Sequence, residues 1–245
     1  MFAGEVGVIV LGVLIALAAQ QAMDEWRWSR DVERTNADLD DEILANIMNG
    51  AERVAVNACL QQRLAMLSDA VGKGEGRWTA RPAVATAPLR FVLPVIYRAP
   101  NRVWTTDVWD QAKANGVVGH MSPTEVANYS GIYEQISDLR AQNDAEVRLT
   151  PSLAVLGFDG RMDAATRDRV LSSLAELDSL NTWIVVIANQ IAEKAANSKR
   201  RMSPELVRET KEVFAMQRRI RGSCVDTEAG WKLMWPLMAP TDESA

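Results

Sequence analysis

Side chains able to do chemistry are few in this sequence and widely spaced. His120 is the single histidine. A nucleophile paired with an imidazole base, or a multi-histidine metal site, would rest on that residue alone. It falls in a short loop ahead of Ser122, where a loop or capping role competes with catalysis. The two cysteines, Cys59 and Cys224, are too far apart for a C-x-x-C redox pair or a zinc knuckle. Either they are separate buried thiols in a reducing compartment, or they are bridged, which needs an oxidising one. A bridge over so long a loop would contribute on the order of 4–5 kcal/mol in the chain-entropy account. The bridge is the expectation here.

The acidic side chains divide in the same way. Asp38-Leu39-Asp40-Asp41-Glu42 puts four carboxylates on about one helical turn, which suits a cation or, more plainly, a solvated face. Asp159-Gly160-Arg161-Met162-Asp163 opens like a calcium loop, but it has arginine at its third position and no glutamate at its twelfth. No phosphate-cradling G-x-x-x-x-G-K-[ST], G-x-G-x-x-G or H-E-x-x-H pattern occurs. The net charge of −5 argues against a nucleic-acid partner. The basic runs Lys199-Arg200-Arg201 and Arg218-Arg219-Ile220-Arg221 are separated by Glu205, Glu209 and Glu212, as on a solvated helix face. The expectation is therefore a non-enzymatic chain with no catalytic residue, no cofactor and no metal ligand.

The most informative element is the first. From Val6 to Ala19 no side chain is charged or strongly polar, and Glu5 is the sole charge before Asp24. A spanning helix needs about 20 apolar residues at about 1.5 Å each. Residues 1–23 meet that length if Glu5 and the glutamines Gln20 and Gln21 lie near the two surfaces. Trp26 and Trp28 follow where interfacial aromatics would sit. A cleavable signal is the competing reading, since Ala16-Leu17-Ala18 has the small-x-small form, but Glu5 stands where a basic n-region should be. A buried core helix is the third. An uncleaved anchor is the expectation. Gly7, Gly12 and Ala16 offer a small-residue packing face, and a deep Glu5 would mark an intramembrane polar contact. Arg27, Arg30 and Arg34 count toward a cytoplasmic C-terminal side. The disulfide argument counts toward the periplasm, and the latter is preferred because long domains translocate largely regardless of flanking charge.

Beyond the span, helical periodicity continues. Trp28, Val32, Leu39, Ile43, Ile47, Ala51, Val54, Leu60, Leu64, Leu67 and Val71 keep spacings of three, four or seven with one slip after Val54. The faces between carry Asp38, Asp40, Asp41, Glu42, Glu52 and Arg53. This predicts a stalk helix over 24–72, ended by Gly72-Lys73-Gly74-Glu75-Gly76. Residues 73–104 hold Pro82, Pro88, Pro94 and Pro100, too many for a helix, yet Phe91, Val92, Val95, Ile96 and Tyr97 are too apolar for a free linker. An ordered connection laid against the bundle is expected, with room for one short helix or strand.

Residues 105–224 read as a helical bundle. Thr105 or Thr106 can cap a helix that Gly116 closes. Ser122-Pro123-Thr124-Glu125 is a capping box with proline at N1, ahead of Val126, Tyr129, Tyr133, Ile136 and Leu139. Thr150-Pro151 ends or kinks that run. A long helix from about Asp163 buries Val170, Leu174, Leu177, Leu180, Ile184, Ile187 and Ile191. Ser203-Pro204-Glu205-Leu206 opens what reads as the last helix, through Val207, Val213, Phe214 and Ile220 to Gly222. Residues 225–245, with Trp231, Trp235 and Pro236, read as a tail.

"EVGVIVLGVLIALAAQQ" and "VWDQAKANGVVGHMSPTEVANYSGIYEQI" together resemble a group of uncharacterised bacterial membrane-anchored proteins, matched at Trp109, Gly116, Tyr129 and Tyr133. The resemblance implies an anchor and a helical domain and brings no known activity with it. The expectation is an all-α, single-pass protein of the bacterial inner membrane with its C-terminal domain in the periplasm. It would contact lipid and act as an accessory or assembly subunit on another membrane protein or on copies of itself. A periplasmic sensory or ligand-binding helical module is the alternative.

Overall fold

The computed structural model describes residues 2–74, 76–80, 95–198 and 200–238, with side chains from residue 11 onward. Helix dominates. Six helices occur among the described residues: α1 (Phe2–Lys73), α2 (Asp107–Ala114), α3 (Pro123–Leu149), α4 (Ala164–Asn197), α5 (Pro204–Arg221) and α6 (Thr227–Met234). The predicted span and the predicted stalk are one uninterrupted helix, α1, because no proline or glycine pair breaks the run before Gly72.

The chain falls into two compact units, residues 1–42 with 106–130, and residues 43–105 with 131–245. In the first unit, α2 starts differently from the sequence expectation. Thr106 holds the N-cap position, but its hydroxyl donates to Asp110 at 2.9 Å. The Glu42 carboxylate takes the cap role and accepts the N–H groups of Asp107 and Val108 at 3.0 and 3.3 Å. Glu42 is thus a half-buried cap at the edge of the acidic face, on which Asp38 and Asp41 are exposed, and Asp40 accepts from the Tyr129 hydroxyl at 3.1 Å. Gly116, with φ +79°, closes α2 as expected. The capping box forms in full: the Ser122 N–H donates to Glu125 at 2.8 Å and the Glu125 N–H to the Ser122 hydroxyl at 3.2 Å. These bonds hold the Glu125 carboxyl below its usual range.

In the second unit, α1 buries Leu39's continuing stripe: Ile43, Leu44, Ile47, Ala51, Ala55, Val56, Leu60, Leu64, Leu67 and Val71. Gly50 lets α4 approach, since a Cβ there would lie 3.1 Å from that of Ala188. Asp163 caps α4 through the Thr166 N–H at 2.8 Å, and Ser203 caps α5 through Leu206. The calcium-like stretch instead contributes β2 (Gly160–Arg161), which pairs antiparallel with β1 (Arg77–Trp78). Residues 95–105 form neither helix nor strand, yet they bury Ile96, Tyr97 and Trp104. Pro82, Pro88, Phe91, Val92 and Pro94 lie outside the described residues.

The structure departs from the sequence expectation in two places. Residues 225–245 do not begin as a tail, because α6 and a 3-10 turn at Trp235–Leu237 follow Cys224 and bury Leu233, Met234 and Leu237. Asp226 starts α6 by accepting the Ala229 N–H at 3.0 Å, while its own N–H donates to Ala55 O at 2.8 Å. Residues 239–245 lie outside the described residues. The second departure concerns Glu52 and Arg53, predicted on exposed faces; each is 1% exposed.

Candidate functional site

In the first unit, α1 carries the residues singled out for membrane contact. Leu11, Val13, Leu14, Ile15 and Leu17 are all more than half exposed and lie on every side of the helix. Gly12 and Ala16 share that exposed stretch, and no atom lies within 4 Å of where a Gly12 Cβ would be. Glu5 and Gly7 have side-chain positions outside the described residues. Among the described residues one helix, α4, is long and apolar enough to cross a membrane, and close to half of that stretch is buried. The inward side of α4 meets a charged pair described below, which is the environment of a core helix.

Trp26 is exposed, with the Arg30 guanidinium 5.3 Å from its ring centre. Trp28 turns the other way and stacks on His120, centroids 3.9 Å apart and planes 13° from parallel. His120 ends the 3-10 turn Val117–His120. A groove of about 800 Å³ runs here, lined among others by Leu17, Gln21, Asp24, Trp28, Val32 and His120. The imidazole sits on an indole face, and among the described residues no cysteine or serine hydroxyl is bonded to it. No group of three or more His, Cys, Asp or Glu that could hold a metal ion occurs among the described residues.

In the second unit the two cysteines meet. Cys59 and Cys224 are joined, with Cα atoms 5.1 Å apart across 165 residues of sequence. Cys224 lies in the turn between α5 and α6, and the bridge fastens that turn to α1.

The same unit encloses a charged network that sequence reasoning missed. Arg53 forms a fork with Glu146, Nη1–Oε2 at 2.8 Å and Nη2–Oε1 at 2.9 Å. It also donates to Asn181 Oδ1 at 2.7 Å, and the Tyr97 hydroxyl donates to Glu146 at 2.7 Å. The Asn181 amide donates to the Tyr97 oxygen. All four side chains are almost wholly buried. Burial first, and the adjacent Glu146 charge second, push the Tyr97 phenol well above its ordinary value. The phenol stays neutral and the carboxylate is fully engaged, so this cluster positions helices α1, α3 and α4. One signal was legible: Asn143 and Glu146 continue the apolar stripe of Ile132, Ile136 and Leu139, and Asn181 falls between Leu180 and Ile184. Polar groups in phase with a core stripe must find each other.

A second cluster opens to solvent. Glu52 accepts two bonds from Arg102, at 2.6 and 2.9 Å, and one from Gln217 at 2.7 Å. Arg221 donates to Gln217 Oε1 at 2.8 Å and to the Arg98 carbonyl at 2.7 Å. Around them lies a cleft of about 390 Å³ whose wall also includes Pro100, Met216 and Ile220. Arg221 therefore belongs to a cleft, where the sequence suggested a solvated basic run. Burial, and next the neighbouring Arg98, lower its proton affinity. Comparison with known protein families, with curated proteins and with solved structures returns no match to this chain.

Proposed function

We propose that the chain is a membrane-anchored interaction protein whose globular part lies outside the cytoplasm, an accessory or assembly subunit acting on a membrane partner or on further copies of itself. The observation that carries this reading is the start of α1, where Leu11, Val13, Leu14, Ile15 and Leu17 are exposed on all sides of a continuous helix. In water such a surface is an aggregation liability, whereas in hydrocarbon it is the expected solvent contact. Trp26, exposed one turn past the apolar run, suits the headgroup layer. The Cys59–Cys224 bridge supports an oxidising compartment for the second unit. Gly12 and Ala16 would let a second spanning helix approach closely.

Two measurements test the reading together. A C-terminal alkaline phosphatase fusion, active only outside the cytoplasm, is expected to be active. Detergent extracts are expected to hold the chain in a species larger than one protomer, which Gly12→Ile converts to monomer without loss of membrane insertion. An inactive phosphatase fusion overturns the topology, and an unchanged assembly state in Gly12→Ile overturns the packing role.

A further inference from the structure

We propose that the cleft between residues 98–102 and the end of α5 is a binding site for a small organic anion, whose carboxylate or phosphate is held by Arg98 and Arg221 while its apolar part lies on Met216 and Ile220. This goes beyond the interaction reading and does not depend on it.

Charge is the first ground. Of the residues lining the cleft, Arg98, Arg102 and Arg221 are cationic and Glu52 alone is anionic. Glu52 is already engaged by the Arg102 fork and by Gln217, so most of its hydrogen-bonding capacity is spent there. The Arg98 guanidinium has no hydrogen-bond or ion-pair partner among the described residues. Arg221 spends Nε and one Nη2 hydrogen on neutral acceptors, the Gln217 side chain and the Arg98 carbonyl. A guanidinium has five N–H donors, so several on Arg221 remain available. The two guanidiniums thus share one cleft in which Glu52 offsets only part of their charge, an arrangement an oxyanion relieves.

Preorganisation is the second ground. Gln217 is 5% exposed and Glu52 1%. Gln217 accepts from Arg221 and donates to Glu52, so the orientation of the Arg221 fork is fixed from beneath by buried groups. Rigid forks are suited to bidentate capture of carboxylate or phosphate. The lowered proton affinity of Arg221, caused by burial and by Arg98, marks the same frustration. Shape is the third ground. A volume of about 390 Å³ lies in the range of small-molecule sites, and a lining that combines these cations with apolar Pro100, Met216 and Ile220 fits an amphipathic anion better than a bare ion.

The test uses the full chain in a neutral detergent at low ionic strength, titrated by calorimetry with phenyl phosphate, benzoate and sodium phosphate. One-site binding of phenyl phosphate is expected, with sodium phosphate competing weakly. The affinity should fall at least about tenfold in Arg98→Ala, the usual scale for losing one charge-assisted contact. Arg98→Ala is the deciding variant because its guanidinium supports no described contact, so unchanged circular dichroism and melting are expected. Arg221→Lys, which keeps the charge and loses the fork, should bind at intermediate strength. No saturable heat with any of the three probes, or equal affinity in Arg98→Ala, overturns the proposal. A short-chain phosphatidylglycerol that outcompetes phenyl phosphate assigns the oxyanion to a lipid headgroup, and the reverse order assigns it to a soluble anion; both uphold the site.

Discussion

A tyrosine hydroxyl buried against a carboxylate has a defined pH signature. Tyr97 donates to Glu146 and accepts from Asn181, and its phenol is raised above the ordinary value by burial and by the Glu146 charge. In the unfolded chain the phenol titrates near its ordinary value of about 10. The folded form holds its proton above that, so the stabilisation is complete below about pH 10 and is lost as pH rises toward the folded value. Alkaline melting curves should show this decline, and Tyr97→Phe should flatten it while costing about 1–2 kcal/mol at neutral pH for the lost bonds. An identical alkaline decline in wild type and Tyr97→Phe would exclude Tyr97 as its source. The identity of this cluster was only half legible in the sequence. Glu52 and Arg53 sit beside Ala51 on α1, but nothing local tells a charge on the flank of a stripe from one turned inward. The answer depends on Glu146 and Arg102, which are 93 and 50 residues away.

At the scale of elements, local signals were read well and cooperative ones poorly. The Ser122–Glu125 box and the Gly116 stop each depend on atoms within four residues and stand where the sequence placed them, and α4 and α5 begin at Asp163 and Ser203, where the sequence started those helices. Helix α6 was missed because it has eight residues with a glycine in its interior, and its stability comes from what it packs on. That glycine is the reason the helix fits. A Cβ on Gly230 would lie 2.5 Å from the Phe214 ring and 2.9 Å from the Ala51 carbonyl oxygen. Phe214 cannot retreat freely, since it is buried and meets Trp231 edge-on at 5.1 Å. Gly230→Ala should therefore destabilise by about 1–3 kcal/mol, the range for overpacked sites, despite the better helix propensity of alanine. Thermal melting checks the sign: a raised midpoint would mean that α6 moves away from α1 at little cost.

For the molecule as a whole, the C-terminal segment and α1 are joined in register. Cys224 bonds to Cys59, the Asp226 N–H donates to Ala55 O, and Gly230 faces Ala51 O. The three α1 positions are spaced by four, one helical turn each, so the disulfide is the first step of a ladder that continues without covalent help. Reduction then has two separable effects. It frees the loop entropy of the unfolded chain, worth roughly 4–5 kcal/mol in the chain-entropy account, which lowers the melting midpoint by about 10 °C for a chain of this size. It also leaves the rest of the ladder to hold α6 alone, through one backbone bond and one close glycine contact. Hydrogen exchange in the reduced protein should accordingly accelerate first over 222–237, while α3 and α4, pinned by the Arg53–Glu146–Asn181 cluster, stay protected until global unfolding. Uniform acceleration across 131–237 would mean that the disulfide holds the whole second unit together and that the buried cluster does not act as an independent anchor. A reduced chain that melts at the oxidised midpoint would mean that the ladder holds α6 without the bridge and that the chain-entropy contribution is absent.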